Sequence, residues 1–445
     1  MPWYKDKILG YILGIATLSK LIAFLYLYFV NPLGEQALIF PDSLGYVYPA
    51  QTLLEHGALW EAVSATPLLM RTPGYPWLIA SVQFLTANAT WAIIFVQNVI
   101  ALVTLLPIYL TTRQLAGINA ARTAAGLYAA STLYFSLAFS ILTETWCVFW
   151  LAWFIYFLLR WQQKSQWKFI IPAALCLAFS IYIRPAVYYL VPIICIILPG
   201  LIWKSKSPQL FCQILCGFIL PVIVLIGIWQ VRNYRQTGYG GFTTVGAYNL
   251  YIWNEDYIAW KESISVAQAH QELLARLPSD FYQQPASEQV RLYRQLATPL
   301  LKESWMYKIS RLPLWAGKTL LGTNYVHINR LVFGEKDSPE RTLNQTGALP
   351  KSWLRTWPEK IIFLFVFLQV FITVGLGTIG LWLLRKKNLS AAIFLTIYIG
   401  YFWAIGSSFF GAYARFRAPF ELVFCMTAGL ALSTGIGQLH GNKRP

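Results

Sequence analysis

Runs of about 20 apolar residues recur along this chain, each long enough as a helix to cross a hydrocarbon layer of about 30 Å. They fall at 8–30, 91–112, 120–141, 143–160, 168–184, 186–203, 211–231, 361–384, 389–411 and 420–438. No other feature constrains the fold as much. Inside lipid every backbone N–H and C=O must find its partner within the protein, so such runs cross as helices. Composition agrees: 57% of residues are hydrophobic and 12% charged, half the roughly 25% charged of a soluble domain. The expected fold is an all-α polytopic membrane bundle of about 10 transmembrane helices. The tight turns between 141 and 186 leave room for a further or re-entrant segment, which would bring the count to roughly 11–13. The first run is too long for a signal-peptide core and lacks a small-residue cleavage site, so it reads as an uncleaved first span.

The net charge of +17 is not a nucleic-acid signature. Much of it sits in short clusters between apolar runs: Lys5 and Lys7; Arg113 and Arg122; Arg160, Lys164 and Lys168; Lys204 and Lys206; Arg385, Lys386 and Lys387; Lys443 and Arg444. With one crossing per run, every one of these falls on the same side. The positive-inside rule then makes that side, and both termini, cytoplasmic. The six cysteines lie in or beside apolar runs, with no disulfide framework and no zinc spacing.

Three regions follow: an N-terminal transmembrane module, 1–231, whose first outer loop is 31–90; an extracytoplasmic segment, 232–358; and C-terminal transmembrane helices, 359–445. The middle segment carries helical periodicity in ESISVAQAHQELLARL (262–277) and SEQVRLYRQLATPLLKESW (287–305). These read as amphipathic helices lying over the membrane face, the second kinked or ended by Pro299. There is no internal repeat of the kind many transporters carry.

Charges beside spans are costly and therefore informative. Asp42 opens DSLGYVYPAQTLLEHG, with Gly57 at a C′ position and Pro49 in the middle. On these residues alone a helix cap is the better reading of Asp42, with a catalytic carboxylate as the alternative. Arg71 opens the bent entry RTPGYPWLIA, either as an interfacial arginine meeting lipid headgroups or as a binder of an anionic group on a membrane substrate. Glu144 in LTETW caps a span or faces the bundle interior. Arg184 lies at an outer turn, Arg232 and Arg235 open the long outer segment, and ARFRAPFE brings Arg415, Arg417 and Glu421 to the start of the last span. Arg415 and Arg417 point apart if helical and together if extended, and Pro419 favours the extended form. Several arginines and two carboxylates on one membrane face suit a lipid-linked phosphate, whose oxygens match the guanidinium fork.

In order and spacing, DSLGYVYPAQTLLEHG, RTPGYPWLIA, LTETW, IRPAVYYLVP, RNYRQTGYGGFTTVGAYNLYIWNE and ARFRAPFE resemble the type C (GT-C fold) membrane glycosyltransferases. The similarity is to bacterial members related to protein O-mannosyltransferases and lipid A aminoarabinose transferases, and it spans roughly residues 5–438. It implies a sugar donor on undecaprenyl or dolichyl phosphate, a lipid, glycan or protein acceptor, a bacterial inner membrane and an extracytoplasmic active site. It also implies an acidic residue in the first outer loop near the acceptor, matched by Asp42, and arginines on the donor phosphate. Many members have two adjacent acidic residues there, whereas this chain has Asp42 and Ser43.

One carboxylate suffices as general base for a direct, inverting displacement, and a phosphate leaving group needs fixed cations but no separate acid. The expected catalytic residues are Asp42 and Glu144, the second orienting acceptor, sugar or arginine. The expected substrate-binding residues are Arg71, Arg184, Arg232, Arg415 and Arg417, with Tyr46 and Tyr75; these two rings and Tyr248 and Trp253 are candidates for sugar stacking, though an interfacial belt residue is the better reading of each ring taken alone. No cofactor is required; a divalent ion between Asp42 and Glu144 is open, though no ligand spacing compels it. Two other functions compete. A polymerase or ligase of lipid-linked glycans would not require Asp42. A flippase of lipid-linked sugars would want more midspan polar residues than Gln97, Asn98 and Gln369.

Overall fold

Each expected apolar run is helical in the computed structural model, which describes residues 2–61, 66–87, 89–202, 207–334, 356–408 and 413–441. Lys204, Lys206, Lys443, Arg444 and the end of the middle segment, 335–355, lie outside the described residues. Six helical stretches among the described residues are long and apolar enough to cross a membrane: Lys7–Phe29, Thr90–Ala116, Pro208–Thr237, Trp357–Lys387, Leu389–Ser407 and Ala414–Thr434. The other expected spans are helical but shorter or less apolar. The run 120–141 divides at Ser131 into Ile118–Ala130 and Thr132–Ala138. Glu144–Lys164 is rich in tryptophan and charged at both ends. Trp167–Ile183 and Leu190–Ile202 are short, joined by a turn at Pro185.

The last helix is the hub. Its residues from Ala418 to Leu430 are almost all buried, packed against Trp357–Lys387 and Ile118–Ala130. Small residues allow the approach, as membrane helices need without a hydrophobic drive between them. A side chain at Gly380 would collide with the Thr427 carbonyl, and one at Gly377 with Phe424. The first helix, by contrast, exposes Tyr11, Ile15, Leu18 and Ile22, as a lipid-facing helix should. Its Lys20 turns inward instead: Nζ donates to Asn98 Oδ1 at 3.0 Å and lies over the Phe135 and Phe139 rings. Asn98 and its neighbour Gln97 are spent on such internal contacts, Gln97 bonding the Ser140 carbonyl at 2.9 Å.

The middle segment builds a second apolar cluster of its own. Helices Val245–Ile252, Glu255–Glu262, Val266–Ala275 and Ala286–Leu321 pack around Tyr251, Leu273, Phe281, Tyr293 and Ala297. Ser265 and Gln268 form a capping box at the start of the third. Pro299 does not end the fourth helix, which continues to Leu321 with Pro313 also inside it. Next to Pro299, the Thr298 hydroxyl bonds the Arg294 carbonyl at 2.7 Å.

The described parts of the expected outer turns meet at one end of the bundle. Ile141 N–H donates to the Leu38 carbonyl, the Thr72 hydroxyl to that of Ile183, and Thr244 N–H to that of Leu69. Asn31 bonds the Leu331 carbonyl at 2.8 Å. The opposite end is tied by Asp6, which accepts from Tyr109 and Arg122.

Candidate active site

Asp42 lies in a short turn before helix Leu44–His56, which runs through Pro49 and ends at Gly57 in the left-handed region. Its side chain does not cap that helix. Ser43 fixes the turn instead, accepting from Phe40 N–H and donating to the Ile141 carbonyl. The Asp42 carboxylate is thereby free to meet two arginines: Arg71 Nη2 at 2.8 Å on one oxygen and Arg415 Nη2 at 2.7 Å on the other. Burial alone would raise this carboxyl, but the two guanidiniums outweigh it and hold Asp42 well below the usual carboxylate range.

Rigid supports present both arginines. The loop before Arg71 is pinned by Glu61, whose carboxylate accepts from Leu69 and Met70 N–H at 2.7 and 2.6 Å. Burial raises the Glu61 carboxyl despite those bonds. Arg71 lies over the Tyr46 ring, 5.1 Å from its centroid. Arg415 stands in a 3₁₀ turn, Ala414–Arg417. With about three residues per turn, side chains two apart diverge. The extended approach expected from Pro419 is thus not what forms, and Arg415 and Arg417 part.

Glu144 begins helix Glu144–Lys164 and is buried. Its Oε1 accepts from Arg184 Nη1 at 2.7 Å and lies 4.0 Å from Arg415 Nε. Arg184 also donates to the Thr143 hydroxyl. Arg184 and Arg415 both lie over the Phe416 ring, at 5.4 Å. The cluster is therefore a chain, Arg71–Asp42–Arg415–Glu144–Arg184, with one excess positive charge. It forms one wall of a cavity of about 1200 Å³, also lined by Tyr46, Tyr248 and Trp253.

Three expected site residues do not reach this cavity. Tyr75 is fully buried beneath Tyr46, rings edge-on at 5.3 Å, with its hydroxyl donating to Gln97. Arg232 points into the Glu61 loop, donates to the Leu68 carbonyl at 2.9 Å and stacks on Trp229. It braces the loop that carries Arg71. Arg417 is fully buried, bound to Glu421 at 2.6 Å and to the Gly322 carbonyl at 2.8 Å. Arg232 and Arg417 are each spent on backbone carbonyls that need donors once buried, whereas the Tyr75 hydroxyl is spent on the Gln97 side chain. Conversely, Tyr188, Tyr189, Tyr413 and Phe416 line the cavity, although no spacing singles them out. The pair Tyr188–Tyr189, four and five residues after Arg184, is the nearest to a sequence signal.

No three His, Cys, Asp or Glu side chains stand together as a metal cluster among the described residues. Both cavity carboxylates at this wall already face guanidiniums, so the donor set does not fit a divalent ion bridging Asp42 and Glu144.

Residues 70–229 match the family model described as dolichyl-phosphate-mannose-protein mannosyltransferase. That stretch holds Arg71, Glu144 and Arg184. No curated protein matches the chain. Among solved structures, the archaeal oligosaccharyltransferase AglB from Archaeoglobus fulgidus, in complex with an inhibitory peptide and a dolichol-phosphate, superposes with a TM-score of 0.54 at 13% identity. The chain has the type C membrane glycosyltransferase fold. The alignment covers 99% of this chain and 52% of that one, so the chain spans about half the length of the oligosaccharyltransferase it matches. The same archaeal enzyme tethered with an acceptor peptide gives a TM-score of 0.51 at 14% identity, over 99% and 51% of the two chains. ArnT from Cupriavidus metallidurans in the apo state gives 0.41 at 13% identity, over 95% and 79%. On this type C fold, the chain is an integral membrane protein.

Proposed function

We propose that the chain is a glycosyltransferase that moves a sugar from a polyprenyl-phosphate donor to an acceptor hydroxyl, within the 1200 Å³ cavity and at the extracytoplasmic face. The observation that carries this reading is the Asp42 carboxylate held between Arg71 and Arg415 on the cavity wall. A carboxylate so clamped is a poor base. A donor phosphate entering the cavity competes for the same two guanidiniums, because its oxygens satisfy the fork as well as a carboxylate does. Arg71 and Arg415 then pass to the phosphate. Asp42, released, regains basicity when the sugar is in place.

In the transfer step the acceptor oxygen attacks the anomeric carbon, and the bond from that carbon to the phosphate oxygen breaks with inversion. The acceptor proton goes to Asp42, and polyprenyl phosphate leaves with its charge held by Arg71, Arg415 and Arg184. Glu144 keeps Arg184 and Arg415 in place and is a positioning residue. The helices of the middle segment contribute cavity wall, which supports a role in keeping water from the donor. The sidedness rests on the basic turns at the opposite end. The archaeal structure that shares the fold was solved with a dolichol-phosphate, in keeping with a lipid-phosphate donor.

The test is transfer itself. Protein in lipid nanodiscs is given a panel of radiolabelled undecaprenyl-phosphate sugars and extracted envelope lipids. Labelled product and free undecaprenyl phosphate are expected, with Arg71→Ala slower by roughly a hundredfold or more. Consumption of none of the donors would overturn the reading.

A further inference from the structure

The cavity has a second polar end that the transfer step leaves unused. Asn249 and Trp253 come to its wall from helix Val245–Ile252 and the turn after it, Glu255 from the start of helix Glu255–Glu262, and His270 from helix Val266–Ala275. Arg294 adds a guanidinium from helix Ala286–Leu321. Glu255 Oε2 lies 2.8 Å from His270 Nδ1, and the two side chains are 17% and 33% exposed. Among the described residues neither the second Glu255 oxygen nor His270 Nε2 has a hydrogen-bond partner. Burial raises the Glu255 carboxyl, with His270 opposing it.

Both ends belong to one space. Tyr248 lines the same cavity as Asp42 and Arg71 of the first cluster and Glu255 of the second. A volume of about 1200 Å³ is more than one small ligand fills, since sites for single small molecules run to roughly 300–1000 Å³. The donor head occupies the arginine end, and the other end is free for the acceptor.

The side chains at that end specify a chemistry. A carboxylate oxygen accepts, a guanidinium donates, and an amide and an imidazole do both. An anionic ligand meets Glu255 and a cationic one meets Arg294, so neither is favoured. A neutral ring with adjacent hydroxyls offers donors and acceptors side by side, and its C–H face suits an indole such as Trp253. We propose that the Glu255–His270 end of the cavity is a carbohydrate subsite that binds the glycan part of the acceptor. This rests on the transferase reading above.

Detergent-purified protein is probed on an array of printed oligosaccharides and on an array of Ser- and Thr-rich peptides, with undecaprenyl phosphate binding measured in parallel. Wild type, Glu255→Gln, His270→Ala and Trp253→Ala are compared. The expected result is binding to a subset of oligosaccharides, weakened tenfold or more in the variants, while undecaprenyl phosphate affinity is kept and shows that they are folded. Absence of oligosaccharide binding by a wild type that still binds undecaprenyl phosphate would overturn the subsite and leave the donor reading standing. So would oligosaccharide binding equal in all variants, or peptide binding that depends on Glu255 and His270. Failure of wild type to bind undecaprenyl phosphate would count against the donor reading instead.

Discussion

Arg415 and Arg417 are two residues apart and each holds a carboxylate, yet they belong to different worlds. Arg415 shares Asp42 with Arg71 on a cavity wall, its side chain 21% exposed and that of Asp42 30%. Arg417 is wholly enclosed, with Glu421, itself bonded to the Ser131 hydroxyl, and the carbonyls that end helix Ala286–Leu321. An ion pair with access to a cavity can change partners. One whose every side is packed cannot, and breaking it strands a charge away from water. The first is suited to a ligand, the second to joining the last helix to the middle segment.

The contrast breaks most visibly on truncation. Arg417→Ala is expected to cost about 3–5 kcal/mol, because Glu421 is left buried without its partner. A large fall in melting temperature and a loss of monodisperse protein would show it. Arg415→Ala is expected to leave the melting temperature within a few degrees and to remove undecaprenyl phosphate binding. Equal destabilisation by the two would erase the distinction.

A third buried carboxylate sharpens it. Asp256 has no ion pair among the described residues, and burial pushes its carboxyl from 3.8 up to about 6. The fold thus favours its neutral form. That stabilisation is complete below pH 3.8 and is lost as pH rises through about 6. Asp256 therefore strains its surroundings at neutral pH, by about 3 kcal/mol at 1.36 kcal/mol per unit. Asp256→Asn is expected to raise the melting temperature at pH 7.5 and to flatten its dependence between pH 4 and 7. An unchanged pH profile would contradict this.

Local rules made much of the fold legible, though not the Asp42 cap or the extended approach to Pro419. Apolar length placed the helices, and the described parts of the polar loops do meet at one end. Gly57 closed its helix as expected, and the charged positions Asp42, Arg71, Glu144, Arg184 and Arg415 do share one wall. What could not be read was set by distant chain. Whether Arg232 or Arg417 reaches a ligand depends on carbonyls at Leu68 and Gly322, 164 and 95 residues away. Tyr75 is withdrawn by Gln97, and Lys20 is accommodated by Asn98 and two phenylalanines from another helix. The pairing of Glu255 with His270 arises only once the middle segment packs on itself. Of the two outcomes the pattern allowed at Pro299, a kink or an end, the helix does not end there.

The central claim is that Asp42 and the donor phosphate compete for Arg71 and Arg415. Undecaprenyl phosphate binding to Asp42→Asn, alongside transfer by the same protein, measures it most directly. Removing the competing charge is expected to tighten binding roughly tenfold, or about 1.4 kcal/mol, while transfer falls by about 10²–10⁴ for want of a base. Binding that is unchanged or weaker, together with transfer as fast as wild type, would contradict the account.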